Sequence, residues 1–266
     1  MSTAFDPSEH LSDGQVITLG RIAVPVFLLL VWQVLAMSVG DLTLATPAEA
    51  FAQLLAGFQS GWLVPDLQRT IVELVAAYAL AIVAGVWVGV ALGLSDFWRD
   101  VFQPIIVGTY AIPKVTLFPL FLFVFQLGVD SKVAFGWFHG VFPIAILTTS
   151  AMATIRPEHL AVSRSLDLSR WQTFREIIVP SILPGLVIGL RLGFNLTFLG
   201  IVLGEMFAAR AGLGYRLVQY ITGVQTARML SIILLLVLIA AAVNVCFFVL
   251  EGRLSARGQD TADMRM

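Results

Sequence analysis

The chain has 266 residues, 58% of them hydrophobic and only 12% charged, with a formal net charge of −1 and a mean hydropathy of +0.90. A soluble domain carries about twice that share of charge, so lipid rather than water must solvate much of this surface. The near-neutral balance leaves no electrostatic footprint for nucleic acid, and a lone cysteine, Cys246, excludes an internal disulfide.

Residues 1–21 are mostly polar and carry Asp6, Glu9 and Asp13. A secretory leader starts short and basic, so this stretch reads as a retained tail. Crossing a bilayer takes about 20 apolar residues. Clear spans are expected at about 22–40, 72–95, 133–155 and 229–250. Two further spans are interrupted. Pro104, Pro113 and Pro119 punctuate 101–128, with Lys114 in mid-segment; 181–208 contains Arg191 and ends near Glu205. Proline and charge at membrane depth are tolerated where neighbouring helices or a wet cavity satisfy them. The expectation is an all-α, polytopic bundle of six transmembrane helices within 22–255, followed by a polar tail at 256–266.

Between spans one and two, Thr46-Pro47-Ala48-Glu49 forms a capping box with proline at the first helical position. Phe51, Leu54 and Leu55 add an apolar stripe, so a short interfacial helix is expected. Residues 95–100 and 129–132 read as polar turns, and 210–228, with Gly212, Gly214 and Gly223, as a flexible loop. Glycines recur four apart at Gly85, Gly89 and Gly93, at Gly185, Gly189 and Gly193, at Gly200 and Gly204, and at Gly136 and Gly140. That spacing stacks them on one helix face for close packing. Six spans place nine loop and tail arginines on one side and five basic residues on the other, which predicts both termini in the cytoplasm.

Candidate pathway residues are Lys114, Arg191, Asn195 and Glu205. Lys114 could attract an anion or pair with Glu73 or Glu205. Arg191 and Asn195 lie one turn apart on a face expected to point inward, unless Arg191 snorkels. His10, His139 and His159 lack metal-ligand spacing, and no Ser/His/Asp set or carboxylate pair suggests catalysis. Neither Lys114 nor Lys132 follows a glycine, so there is no phosphate loop, and any ATP hydrolysis must come from a partner.

The most polar internal region is 156–180. Pro157 and Glu158 suit a first helical turn, Asp167 falls where the chain must turn, and Ser169-Arg170-Trp171-Gln172 is a second capping box. Two short helices should meet there, presenting Leu166, Leu168 and Trp171 among arginines. That is either a docking surface or a loop folded back with Trp171 as an interfacial anchor.

The run Arg164-Ser165-Leu166-Asp167-Leu168-Ser169-Arg170-Trp171-Gln172-Thr173-Phe174, followed by Ile177-Ile178-Val179-Pro180, resembles the cytoplasmic loop of bacterial ABC importer permeases. That pattern is EAA, three residues, glycine, nine residues, then I-x-L-P. Here Ala161, Val162 and Ser163 occupy the EAA positions and Asp167 the glycine position, so the loop is a degenerate version; aspartate is among the few non-glycines that tolerate positive φ. Thr46-Pro47, Ala111-Ile112-Pro113-Lys114, Phe118-Pro119-Leu120, Gly128 before Ser131-Lys132, and Gly204-Glu205-Met206-Phe207 ahead of Gly212-Leu213-Gly214-Tyr215 resemble the branch serving nitrate, sulfonate, taurine and bicarbonate.

This resemblance implies a type I permease of the bacterial inner membrane, not itself an enzyme, carrying a small anion. It implies a coupling helix in which Arg164, Leu166, Asp167, Leu168, Ser169, Arg170, Trp171 and Phe174 dock an ATPase. ATP and Mg²⁺ would sit in two partner ATPase subunits, with no cofactor or metal in this chain. The other partners implied are an external binding protein and a second permease copy, a homodimer or alternatively a heterodimer. The rival readings are a secondary transporter or channel, and a membrane scaffold.

Overall fold

The computed structural model describes residues 13–40, 43–155 and 157–263 and is helical throughout, with no strand among them. His10 and Arg156 lie outside the described residues. Helix α1 runs Asp13–Val39, α2 Pro47–Gln59, α3 Leu63–Gly93, α4 Asp96–Ala111, α5 Phe118–Phe125 and α6 Val129–Ala153. Then come α7 (Pro157–Ser165), α8 (Arg170–Thr173), α9 (Val179–Ala208), α10 (Leu213–Thr222) and α11 (Thr226–Asp263). Five helices among the described residues are long and apolar enough to cross a membrane, or six if α4 and the segment through α5 form one bent span.

The bend in that span is 85° and has a local cause. Ile112 precedes Pro113 and is extended, at φ −63° and ψ 135°, because the proline ring excludes the helical region for its predecessor. A 3₁₀ turn at Lys114–Leu117 then restarts the chain into α5. Pro180 is handled differently. The helix widens to a π turn over Phe174–Ile178, with the Val179 N–H bonded to the Phe174 carbonyl, so α8 and α9 form one helix, Arg170–Ala208. Sequence reasoning had separated the two.

The packing centre is α6, held between α3 and α9. Gly85 and Gly89 of α3 lie against Ile144 and Thr148 of α6, in rising order, so these helices run parallel. Gly185 and Gly193 of α9 meet Ala151 and Ile144 in falling order, so α9 is antiparallel to α6. A Cβ at Gly89 would lie 2.9 Å from the Ala145 carbonyl oxygen, closer than real Cβ atoms come. Dispersion at such close approach is what holds helices together in lipid. One end of the bundle therefore gathers the starts of α3 and α6, the end of α9, and α10. The other gathers the ends of α3 and α6 with α7 and α8.

Three readings of the connections are corrected. Residues 129–132 are the first turn of α6, so Lys132 is not in a loop but 3% exposed. Residues 96–100 are helical, with Ser95 as the cap. Residues 213–222 form α10, not a flexible loop. The interfacial helix forms with both halves of its capping box, yet of its stripe only Leu54 is buried. The outer faces of α1, α4, α5 and α11 stay apolar and exposed, as at Met37, Phe123 and Val245. Lipid solvates such faces without cost, which accounts for the composition.

Candidate functional site

At the α10 end, three side chains from two helices receive the start of α10. The N–H of Gly212 donates to Asp66 Oδ1 at 2.8 Å, that of Leu213 to Thr70 Oγ1 at 2.9 Å, and that of Gly214 to Glu205 Oε2 at 2.7 Å. The Thr70 hydroxyl donates to Glu205 Oε1 at 2.8 Å. The first N–H groups of a helix have no partner within it, and these acceptors supply one from outside. Gly212 sits at φ +113°, and a Cβ there would strike the Glu205 carboxylate, so only glycine lets the chain pass. Asp66 also accepts from Arg216 Nε and holds that guanidinium above its already high pKa. Glu205, expected on the pathway, is thus fully enclosed by its own subunit.

One turn along α3, Arg69 Nε donates to Glu73 Oε1 at 2.8 Å, and Lys132 Nζ stands 3.6 Å from the same oxygen while donating to the Gly128 carbonyl at 2.6 Å. Sequence reasoning missed Asp66 and Thr70 in this cluster. The signal was present: Asp66, Thr70 and Glu73 recur at helical spacing on one face.

Lys114 pairs with neither Glu73 nor Glu205. Its Nζ donates to the Tyr110 carbonyl at 3.0 Å and lies 4.2 Å from the Tyr110 ring centroid and 5.5 Å from that of Phe142. Among the described residues it makes no ion pair. Arg191 and Asn195 face α11: Arg191 Nε donates to Asn244 Oδ1 at 3.2 Å and its Nη1 pairs with Glu251 at 3.1 Å. Asn244 Nδ2 donates to Asn195 Oδ1 at 2.7 Å. His139 Nδ1 lies 2.9 Å from the Phe135 carbonyl oxygen in the helix core, a packing role.

At the opposite end, α7 closes on Asp167. The Leu168 N–H donates to the Ser163 carbonyl at 3.0 Å and the Asp167 N–H to that of Arg164 at 3.3 Å, with Asp167 at φ +49°. That is the closure usually given to glycine, and aspartate fits it. Ser169 then caps α8 with both halves of its box. Leu166 and Trp171 flank the turn at 65% and 67% exposure, with Arg164, Asp167, Ser169 and Arg170 exposed around them. Leu168 is half-buried, and Phe174, also half-buried, stacks on Trp171 at 5.9 Å.

Glycine-packed helices, a broken span and an exposed capped turn at one end define a helical-bundle protein of the multi-span membrane class. Residues 81–258 match the family of binding-protein-dependent transport system inner membrane components, and the chain belongs to that family. It is similar to the taurine transport system permease protein TauC of Escherichia coli, at 27% identity over 77% of this chain and 76% of that protein. The nitrate import permease protein NrtB of Synechococcus elongatus is 29% identical over 73% of each chain. The putative aliphatic sulfonates transport permease protein SsuC of Bacillus subtilis is 24% identical over 88% of this chain and 85% of its own. A chain of the MetNI methionine ABC transporter shares the fold, with a TM-score of 0.63 at 21% identity, covering 72% of this chain and 95% of that one.

Proposed function

We propose that two copies of this chain form the translocation pathway of an ATP-binding-cassette importer for a small anion such as a sulfonate, taurine or nitrate. Two separate ATPase subunits hold ATP and Mg²⁺ and perform the hydrolysis, and an external binding protein delivers the solute. Both termini face the cytoplasm in this reading, from the nine-to-five distribution of basic residues. The α7–α8 turn then faces the ATPase, and α10 faces outward.

The observation that carries this reading is the exposed pair Leu166 and Trp171 around the Asp167 turn, apolar anchors rimmed by Arg164 and Arg170. Such a patch fits a cleft on a soluble partner. Because α8 continues through the π turn into α9 as one helix, the turn is joined to the centre of the bundle without an intervening loop. Lys114, a cation at the break of span three without an ion pair among the described residues, supports an anionic cargo.

The test is ATP-dependent uptake by vesicles containing the chain with its co-purified ATPase. Trp171→Asp should release the ATPase and leave the bundle folded, since the ring is 67% exposed. Retention of the ATPase by that variant, or uptake driven by an ion gradient alone, overturns the reading.

A further inference from the structure

At the α10 end a cavity of about 410 Å³ opens between the start of α6 and the segment that links α9 to α10. Its wall is made by Arg69, Lys132 and Arg210 with Leu127, Gly128 and residues 208–211. Three cations line it and no carboxylate does. Glu73 lies behind the wall at 0% exposure and shares one oxygen between Arg69 and Lys132, which leaves one of those two charges without a counter-charge. Arg210 adds an exposed third. The remaining acids at this end are engaged or stand aside. Asp66 is taken by Arg216 and the Gly212 N–H, Glu205 by Thr70 and the Gly214 N–H, Glu49 by the Thr46 N–H of its own capping box, and neither Glu49 nor Asp130 lines the cavity.

The cations are also held in place. Lys132 is anchored by the Gly128 carbonyl and Glu73, and the Arg69 Nε by Glu73, so the ammonium and the guanidinium are set before any ligand arrives. Preset donors lose little entropy on binding. The cavity lies at the N-terminal end of α6, where Gly128 lines it and the aligned peptide dipoles add positive potential. We propose that this cavity binds a small oxyanion group: the sulfonate, nitrate or carboxylate of a solute, or the phosphate of a lipid headgroup. Its placement on the outward side, as a receiving site ahead of the pathway, rests on the importer reading. The anion site itself does not.

The experiment uses the full chain with its ATPase in phosphatidylcholine nanodiscs, following the thermal midpoint against sodium methanesulfonate and sodium nitrate at constant ionic strength. A saturable rise is expected. Arg210→Gln, at an exposed position, should require about tenfold more anion for the same rise, and Arg69→Gln with Arg210→Gln should abolish it. A rise seen only when phosphatidylglycerol is added assigns the site to a lipid headgroup. No response to any of the three, or an unchanged response in Arg210→Gln, overturns the proposal. ATP-driven uptake is scored separately, so a stabilised protein that does not transport counts against the importer reading, and a transporting protein with no anion response counts against the site.

Discussion

The Nζ of Lys132 on α6 lies 3.6 Å from Oε1 of Glu73 on α3, with both side chains almost fully buried. These two helices run parallel and share the glycine-lined contact, so the ion pair fixes their register at the α10 end. Removing Glu73 strands the buried Lys132, whereas its other cation, Arg69, is 41% exposed and can turn to solvent. Glu73→Leu should lower stability in detergent by about 3–5 kcal/mol. Glu73→Leu combined with Lys132→Met should recover most of that in the same unfolding assay. A double variant as unstable as the single one would show that the pair is not the source.

At Gly89 the contact is steric. A leucine there would occupy the space of the Thr148 side chain and press on the Ala145 carbonyl. Even Gly89→Ala should cost about 1–3 kcal/mol by overpacking, and Gly89→Leu should abolish folded protein. Gly108→Ala, with nothing within 4 Å of its new methyl, is the matched control and should be neutral. The yield of monodisperse protein on gel filtration reads both.

Asp66 serves the Gly212 N–H and Arg216 together. Asp66→Ala leaves that N–H buried without an acceptor and should cost about 2–3 kcal/mol. The loss should be local, as faster hydrogen exchange over 209–216. Asp66→Asn keeps one acceptor oxygen and should lose about half as much.

The polar set Arg191, Asn195 and Asn244 ties α9 to α11 at membrane depth. A double-mutant cycle with Arg191→Met and Asn244→Leu should return a coupling of about 0.6–1.7 kcal/mol, the range for interhelical hydrogen bonds in lipid. Zero coupling would mean that Arg191 acts through Glu251 alone.

Where local chemistry suffices, the sequence could be read directly. The boxes at Thr46 and Ser169 form as their spacing requires, Asp167 takes the left-handed turn, and span three breaks at Pro113. The misreadings at 129–132 and 210–228 share one cause, whereas that at 95–100 is local, since Ser95 caps α4 and its first turn stays largely exposed. Residues 129–132 and 210–228 carry charges or glycines that signal solvent, and partners from distant helices remove that solvent. Lys132 is buried because Glu73 and the Gly128 carbonyl receive it, and Gly212 and Gly214 are tight because Glu205 lies against them.

By itself the sequence determined that this chain is a polytopic helical membrane protein and where its caps and breaks fall, because hydropathy, proline sterics and capping act over a few residues. Only the tertiary structure decided which charges meet. Arg191 turned toward α11, Glu205 was closed in by α10, and Arg69, Lys132 and Arg210 came to line one cavity. Those outcomes depend on which helix faces meet across tens to more than a hundred residues of chain. In lipid that choice is made by glycine-to-side-chain fit and by the need of each buried charge for a partner, neither of which is visible in a local window.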